Sequence, residues 1–252
     1  MLPAMQQGAA AIDRLTATRR PSGSSLARQR WRQILFLHWA VPVEMLQARL
    51  PAPLVVDTFE GRAYVGLIAL SMPDVRLRWL PSMPALTRLH ALNLRTYVHR
   101  DGREPGVWFF SLDTSHPLVV VAGRVGWWLP YHVAAARRQR EGRALAFHSE
   151  RRLPGPVPAQ FAVRCRVGSP LGPAQPRTLE HFLVERYLLF ADFGRRGLRV
   201  GQVHHRPFTL YPATIETLAE TMLRAAGLDV TQAPPLAHYC PGVDAELFGL
   251  RR

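Results

Sequence analysis

The chain has 252 residues, 48% of them apolar and 9% aromatic, with a formal net charge of +14; this is enough for one large domain or two small ones with a sizeable core. It contains no lysine, so all 32 basic side chains are arginine, and a Schiff base on an interior amine is excluded because a guanidinium keeps its proton in proteins. Cys165 and Cys240 are too few for a structural zinc site on thiolates, and the positive charge is spread out without a helix-turn-helix, finger or aromatic-strand motif, so specific nucleic-acid binding is not expected.

Residues 1–30 carry five arginines and one aspartate, a PSGSS stretch and no apolar run of signal-peptide or membrane-span length. They read as a disordered basic extension. The expectation is a single domain over 31–252, a cytoplasmic location and no membrane partner, with homo-oligomerisation left open.

From Trp31 the chain alternates short strands with turns. WRQILFLHWAV (31–41) reads as a strand and VPVEMLQARLP (41–51) as a short helix between prolines. Residues 54–72 read as a hairpin around Glu60-Gly61, and 75–79 as a peripheral strand followed by a loop at 81–86. Strands are expected at 91–99, 106–113 and 118–128, then a helix over PYHVAAARRQREG, with proline in its first turn and Gly142 as its stop. Further strands follow at 144–152 and 160–167, a helix or helix-then-strand at 178–190 with Thr178 as cap, and a strand at 197–208. The periodicity of PATIETLAETMLRAAG (212–227) predicts the clearest helix of the chain. Together these give a β-rich α+β class with a curved, mainly antiparallel sheet.

The strand ALNLRTYVH places Asn93, Arg95, Tyr97 and His99 on one side of a period of two. An inward Arg95 needs an anion or a carboxylate partner. Glu185 is one candidate partner; the alternative is that Arg95 clamps a ligand carboxylate with Asn93 donating beside it. His204 and His205 are neighbours on a strand and face opposite ways, so they do not share a metal ion without a bulge, and no metal site is expected. Ser111, Asp113, Ser115 and His116 lack the G-x-S-x-G setting of a hydrolase nucleophile.

The segments HWAVPVEMLQARLP, LVVDTFEGRAYVGL, LNLRTYV, GVWFFSLD, LPYH, LVERY and VHHRPF occur in this order over residues 31–208. In them the chain resembles the YqjF-like family of uncharacterised bacterial proteins (domain of unknown function 2071), which is taken to be similar in fold to acetoacetate decarboxylase. The resemblance implies a curved, cone-like antiparallel barrel with a few outer helices and an interior pocket. It also implies a departure: where the decarboxylase carries a reactive lysine after a proline, this chain reads Leu129-Pro130-Tyr131, and Ala91 stands where many relatives have an acidic residue.

The reading that follows is a pocket protein for a small carboxylate- or carbonyl-bearing molecule, without cofactor or iminium chemistry. Asn93, Arg95, Tyr97 and His205 would bind the ligand, and Tyr131, His204 and Glu185 would supply acid–base groups if a lyase-like reaction takes place. The competing reading is a non-catalytic binding or scaffold protein with an internal polar network.

Overall fold

A computed structural model describes residues 12–79, 89–153, 158–230 and 236–252. Thirteen strands among them form one continuous sheet. In chain order they are β1 (Ala27–Val41), β2 (Leu54–Val56), β3 (Ala63–Leu77), β4 (Leu89–Arg100), β5 (Arg103–Thr114), β6 (Tyr131–Glu141), β7 (Ala144–Leu153), β8 (Gln160–Val167), β9 (Gly172–Pro173), β10 (Leu188–Asp192), β11 (Leu198–His205), β12 (Thr209–Glu220) and β13 (Leu236–Arg251). Four short helices accompany them: α1 (Val43–Gln47), α2 (Pro117–Trp127), α3 (Leu179–Val184) and α4 (Met222–Ala225).

The pairings run β4-β3-β1-β13-β11-β10-β5, and a further β4–β5 pairing closes these seven strands into a ring. A second path, β5-β6-β7-β8-β12, returns to β13 through Tyr211↔Tyr239 and Pro212↔His238. Every pairing is antiparallel except β5–β10 and β5–β6. Because side chains alternate along a strand, β1, β3 and β4 feed two separate cores. Ile34, Phe36, Tyr64, Ile68, Leu70, Tyr97, Leu112, Val203 and Cys240 belong to a cluster contributed by all seven ring strands and by Phe182, Leu183 and Val184 of α3, which marks it as the ring interior. Leu35, Leu37, Val65, Leu67, Leu92 and Leu94 instead meet Phe147, Phe161, Cys165, Met222 and Tyr239 in an outer core. This two-sided burial explains why 63–72 reads as an unbroken apolar run.

Several expectations are corrected here. Residues 118–128 form α2, not a strand: β5 and β6 pair in parallel, Leu112 opposite Tyr131, so the chain must cross over between them. Pro117 opens this helix and Trp128, at φ 53°, ends it. The segment after Pro130 is therefore β6, whose Arg138 and Arg140 face the same way beside Phe147 and Leu145. The periodic stretch 212–227 is mostly β12, with only Met222–Ala225 helical. A bulge between Ile215 and Thr217 moves the inward phase by one residue, so Ile215 and Leu218 both reach the outer core at a spacing that mimics a helix. The turn at Glu60-Gly61 is present, but β2 pairs with β4 and not with β3. Val75–Leu77 is the end of β3, and the loop expected at 81–86 lies outside the described residues.

The first strand also begins earlier than expected. β1 starts at Ala27, paired with both β13 and β3, ahead of the expected Trp31. Upstream, Gln202 Nε2 donates to the carbonyls of Ala17 and Arg19, Arg20 pairs with Glu246 at 2.6 Å and the Leu26 amide donates to the Leu247 carbonyl, so this stretch lies against β11 and β13. No helix among the described residues is long and apolar enough to cross a membrane.

Candidate functional site

Three strands put one polar row on the ring interior. His38 of β1 is opposite Gly66 of β3, and Gly66 is opposite Arg95 of β4. Glycine serves here by leaving room: a Cβ on Gly66 would stand 3.0 Å from His38 Cδ2. Both imidazole nitrogens of His38 are buried with no hydrogen-bond partner among the described residues, and so is Nε of Arg95. Burial first, and then the Arg95 charge, push the His38 pKa well below its usual value, so the ring is neutral at pH 7. Arg95 Nη2 donates to the Leu183 carbonyl at 3.1 Å, and its guanidinium lies 5.6 Å from the centre of the Tyr97 ring. Among the described residues no carboxylate pairs with Arg95, although Arg14, Arg151 and Arg186 each have one.

One residue pair along, Asn93 is opposite Leu112, which is opposite Tyr131. The Tyr131 ring packs on Gly123 of α2, where a Cβ would come within 2.3 Å of it. Burial pushes the Tyr131 phenol up to about 12, leaving it a donor at neutral pH. Asn93, Arg95 and Tyr131 are each only partly buried, while Tyr97, on the same strand face, is fully buried.

Glu185 sits elsewhere in the same interior and does not pair with Arg95. It ends α3 and is buried, accepting from the Tyr187 hydroxyl at 2.5 Å and from the Phe208 amide at 2.9 Å. Desolvation raises its pKa against these two bonds. His205 stacks on Tyr187 at 4.5 Å and packs on Phe208 at 4.4 Å. Its Nδ1 meets the Arg206 carbonyl at 2.8 Å, and burial lowers its pKa to about 4. His204, expected as an acid–base group, faces outward, since its neighbour His205 faces inward, and its Nδ1 lies 3.2 Å from the Thr18 carbonyl.

Sequence reasoning missed a buried ion pair. Arg186 donates to Asp57 Oδ2 at 2.8 Å while Arg14 holds Oδ1 at 2.5 Å, and Asp57 and Arg186 are both almost fully buried. The Arg186 guanidinium lies 4.2 Å from the Phe182 ring centre and 5.1 Å from that of Tyr97. Both residues stand within the quoted segments LVVDTFEG and LVERY, but nothing local marks them as partners. Ser111 donates to Asp113, whose carboxylate takes a two-pronged grip from Arg151 at 2.6 and 2.8 Å, as suits a structural pair rather than a nucleophile. Burial pushes both cysteine thiols up to about 11, which leaves them protonated. No group of three or more metal-ligating side chains occurs among the described residues.

Solved structures with the same fold include an acetoacetate decarboxylase from Legionella pneumophila, at TM-score 0.59 and 14% identity over 99% of both chains. An acetoacetate decarboxylase-like enzyme from Sphingomonas wittichii gives 0.61 at 13% identity, covering 91% of this chain and 94% of that one. The enduracididine biosynthesis enzyme MppR complexed with pyruvate gives 0.57 at 12% identity over 91% of each. Such identities establish a shared fold alone. In sequence, the chain is 34% identical over 232 residues to the uncharacterized protein YqjF of Bacillus subtilis, covering 92% of this chain and 94% of that one. Residues 28–244 match the uncharacterized conserved protein family DUF2071, and the chain belongs to that family.

Proposed function

We propose that the protein binds a small carboxylate-bearing oxo compound inside the strand ring, with Arg95 as its counter-charge. The observation that carries this reading is a core-facing, partly accessible guanidinium without a carboxylate partner among the described residues, set beside a neutral His38. A cation so placed is stabilised by an anion that offers two oxygens to its fork of donors. The Asn93 amide and the Tyr131 phenol supply further donors for a carbonyl oxygen on the same ligand. That one protein of this fold takes pyruvate is consistent with the chemistry.

Binding without turnover is the better form of this reading. Iminium formation lacks its amine. Glu185 already accepts two hydrogen bonds, and His205, with a pKa of about 4, is a weak base enclosed by aromatic rings. These groups shape the interior beside Arg95.

The test is a thermal-shift and turnover screen against small 2-oxo acids and their neutral amides. The expected result is stabilisation by an acid and not by its amide, about 2.7 kcal/mol at a hundredfold excess over Kd, lost in Arg95→Ala. Turnover that is lost in Arg95→Ala would move the reading to an enzyme. Absence of any acid-dependent shift would overturn it.

A further inference from the structure

A second polar cluster lies on the opposite side of β3, in the outer core between the ring and the β6-β7-β8-β12 strands, and nothing above makes use of it. Arg138 Nη1 donates to the Ser71 hydroxyl at 2.7 Å, and that hydroxyl is 2.8 Å from Nδ1 of His90. In the tautomer where Ser71 gives its proton to His90, Nδ1 accepts and Nε2 carries the ring hydrogen. Arg140, two residues along the same face of β6, donates to the Tyr239 hydroxyl. Tyr239 therefore keeps its own hydrogen to give.

The charge balance is one-sided. Neither Arg138 nor Arg140 forms an ion pair with any described carboxylate, and Arg138 Nε is buried and unpartnered. Burial lowers the Arg138 pKa most, Tyr239 raises it, and the Arg140 charge nearby lowers it. The two guanidinium groups have donors alone to offer. Arg138 is half-buried and carries its charge at the edge of the core without a described carboxylate, a cost that an anion would relieve, while Arg140 reaches solvent beside it.

We infer that Ser71, His90, Arg138, Arg140 and Tyr239 form a second anion site, separate from Arg95, that takes a tetrahedral oxyanion of the phosphate class. Two guanidinium forks with a phenol and an imidazole N–H match an acceptor-only group with three or four oxygens better than the two oxygens of a carboxylate. The site is independent of the oxo-acid reading, because Arg95 projects from β4 into the ring interior while Ser71 and Tyr239 project into the outer layer.

Titration calorimetry with inorganic phosphate on the full chain, at constant ionic strength, tests this. The expected result is saturable binding of one phosphate per chain, with acetate at least tenfold weaker. Arg140→Gln, at an exposed position that folding tolerates, should weaken phosphate binding at least tenfold, and Arg138→Gln at least as much if it folds. Arg95→Gln should leave phosphate binding unchanged, so this site and the oxo-acid reading fail separately. Lack of saturable phosphate binding, or equal affinity in wild type and Arg140→Gln, would overturn the inference.

Discussion

Arg95 and Arg186 both reach the interior of the strand ring and both lie against the Tyr97 ring, yet their surroundings differ in one respect. Arg186 is locked to Asp57, which also holds Arg14, and aromatic rings cover what remains of it. Each has one buried nitrogen without a partner among the described residues, Nη2 of Arg186 and Nε of Arg95, but Arg95 has a single backbone carbonyl, no described carboxylate and some accessible surface. A buried cation with its carboxylate belongs to the structure; one without it is incomplete until an anion arrives. The contrast supports the proposal that Arg186 serves stability and Arg95 binding, and each half can be broken separately.

The largest effect is expected from Asp57→Ala, which strands the buried Arg186 charge. It should cost about 3–5 kcal/mol, and the melting temperature of a chain of this length should fall by roughly 10 °C. A fall no larger than that of a typical surface substitution would mean that Arg186 finds another partner, and the contrast with Arg95 would vanish. Glu185→Ala comes next. It leaves the Tyr187 hydroxyl and the Phe208 amide without their acceptor, a loss of about 2 kcal/mol readable in urea unfolding. If Glu185 instead served mainly as a base, this substitution would spare stability.

A smaller effect should appear with pH. His205 has a folded pKa of about 4 against an ordinary 6.5, and that of His38 is also lowered. Below pH 6.5 the unfolded chain takes up protons that the folded chain refuses, so stability is complete above 6.5 and is lost progressively as pH falls toward 4. His205→Phe should show a shallower decline in melting temperature between pH 7 and 4.5 than wild type. An identical slope would show that His205 is protonated in the folded state. The smallest stability effect is expected for Arg95→Gln: under about 1 kcal/mol, since only one backbone hydrogen bond is at stake.

How much of this was legible in the sequence differs from region to region. The period of two over 91–99 correctly set Asn93, Arg95 and Tyr97 on one side, because alternation is a local property of any strand. The β12 stretch misled because a bulge moved its phase, and α2 because a parallel pairing imposed a crossover that its own β-branched residues do not suggest. Asp57 and Arg186, 129 residues apart, carry no mutual signal, since only closure of the ring brings them together. For the same reason the sequence offered Glu185 as a partner for Arg95, whereas the turn after α3 sends Glu185 to Tyr187 and Arg186 to Asp57.

The most direct test of the central claim is calorimetric titration of pyruvate and of its neutral amide into wild type and Arg95→Gln at pH 7.5. An unpaired interior guanidinium predicts saturable binding of the acid by wild type, at least tenfold weaker binding of the amide, and loss of the acid's advantage in Arg95→Gln while its melting temperature stays close to wild type. Equal affinity for the acid in the two proteins, or equal affinity of wild type for the acid and the amide, would contradict it.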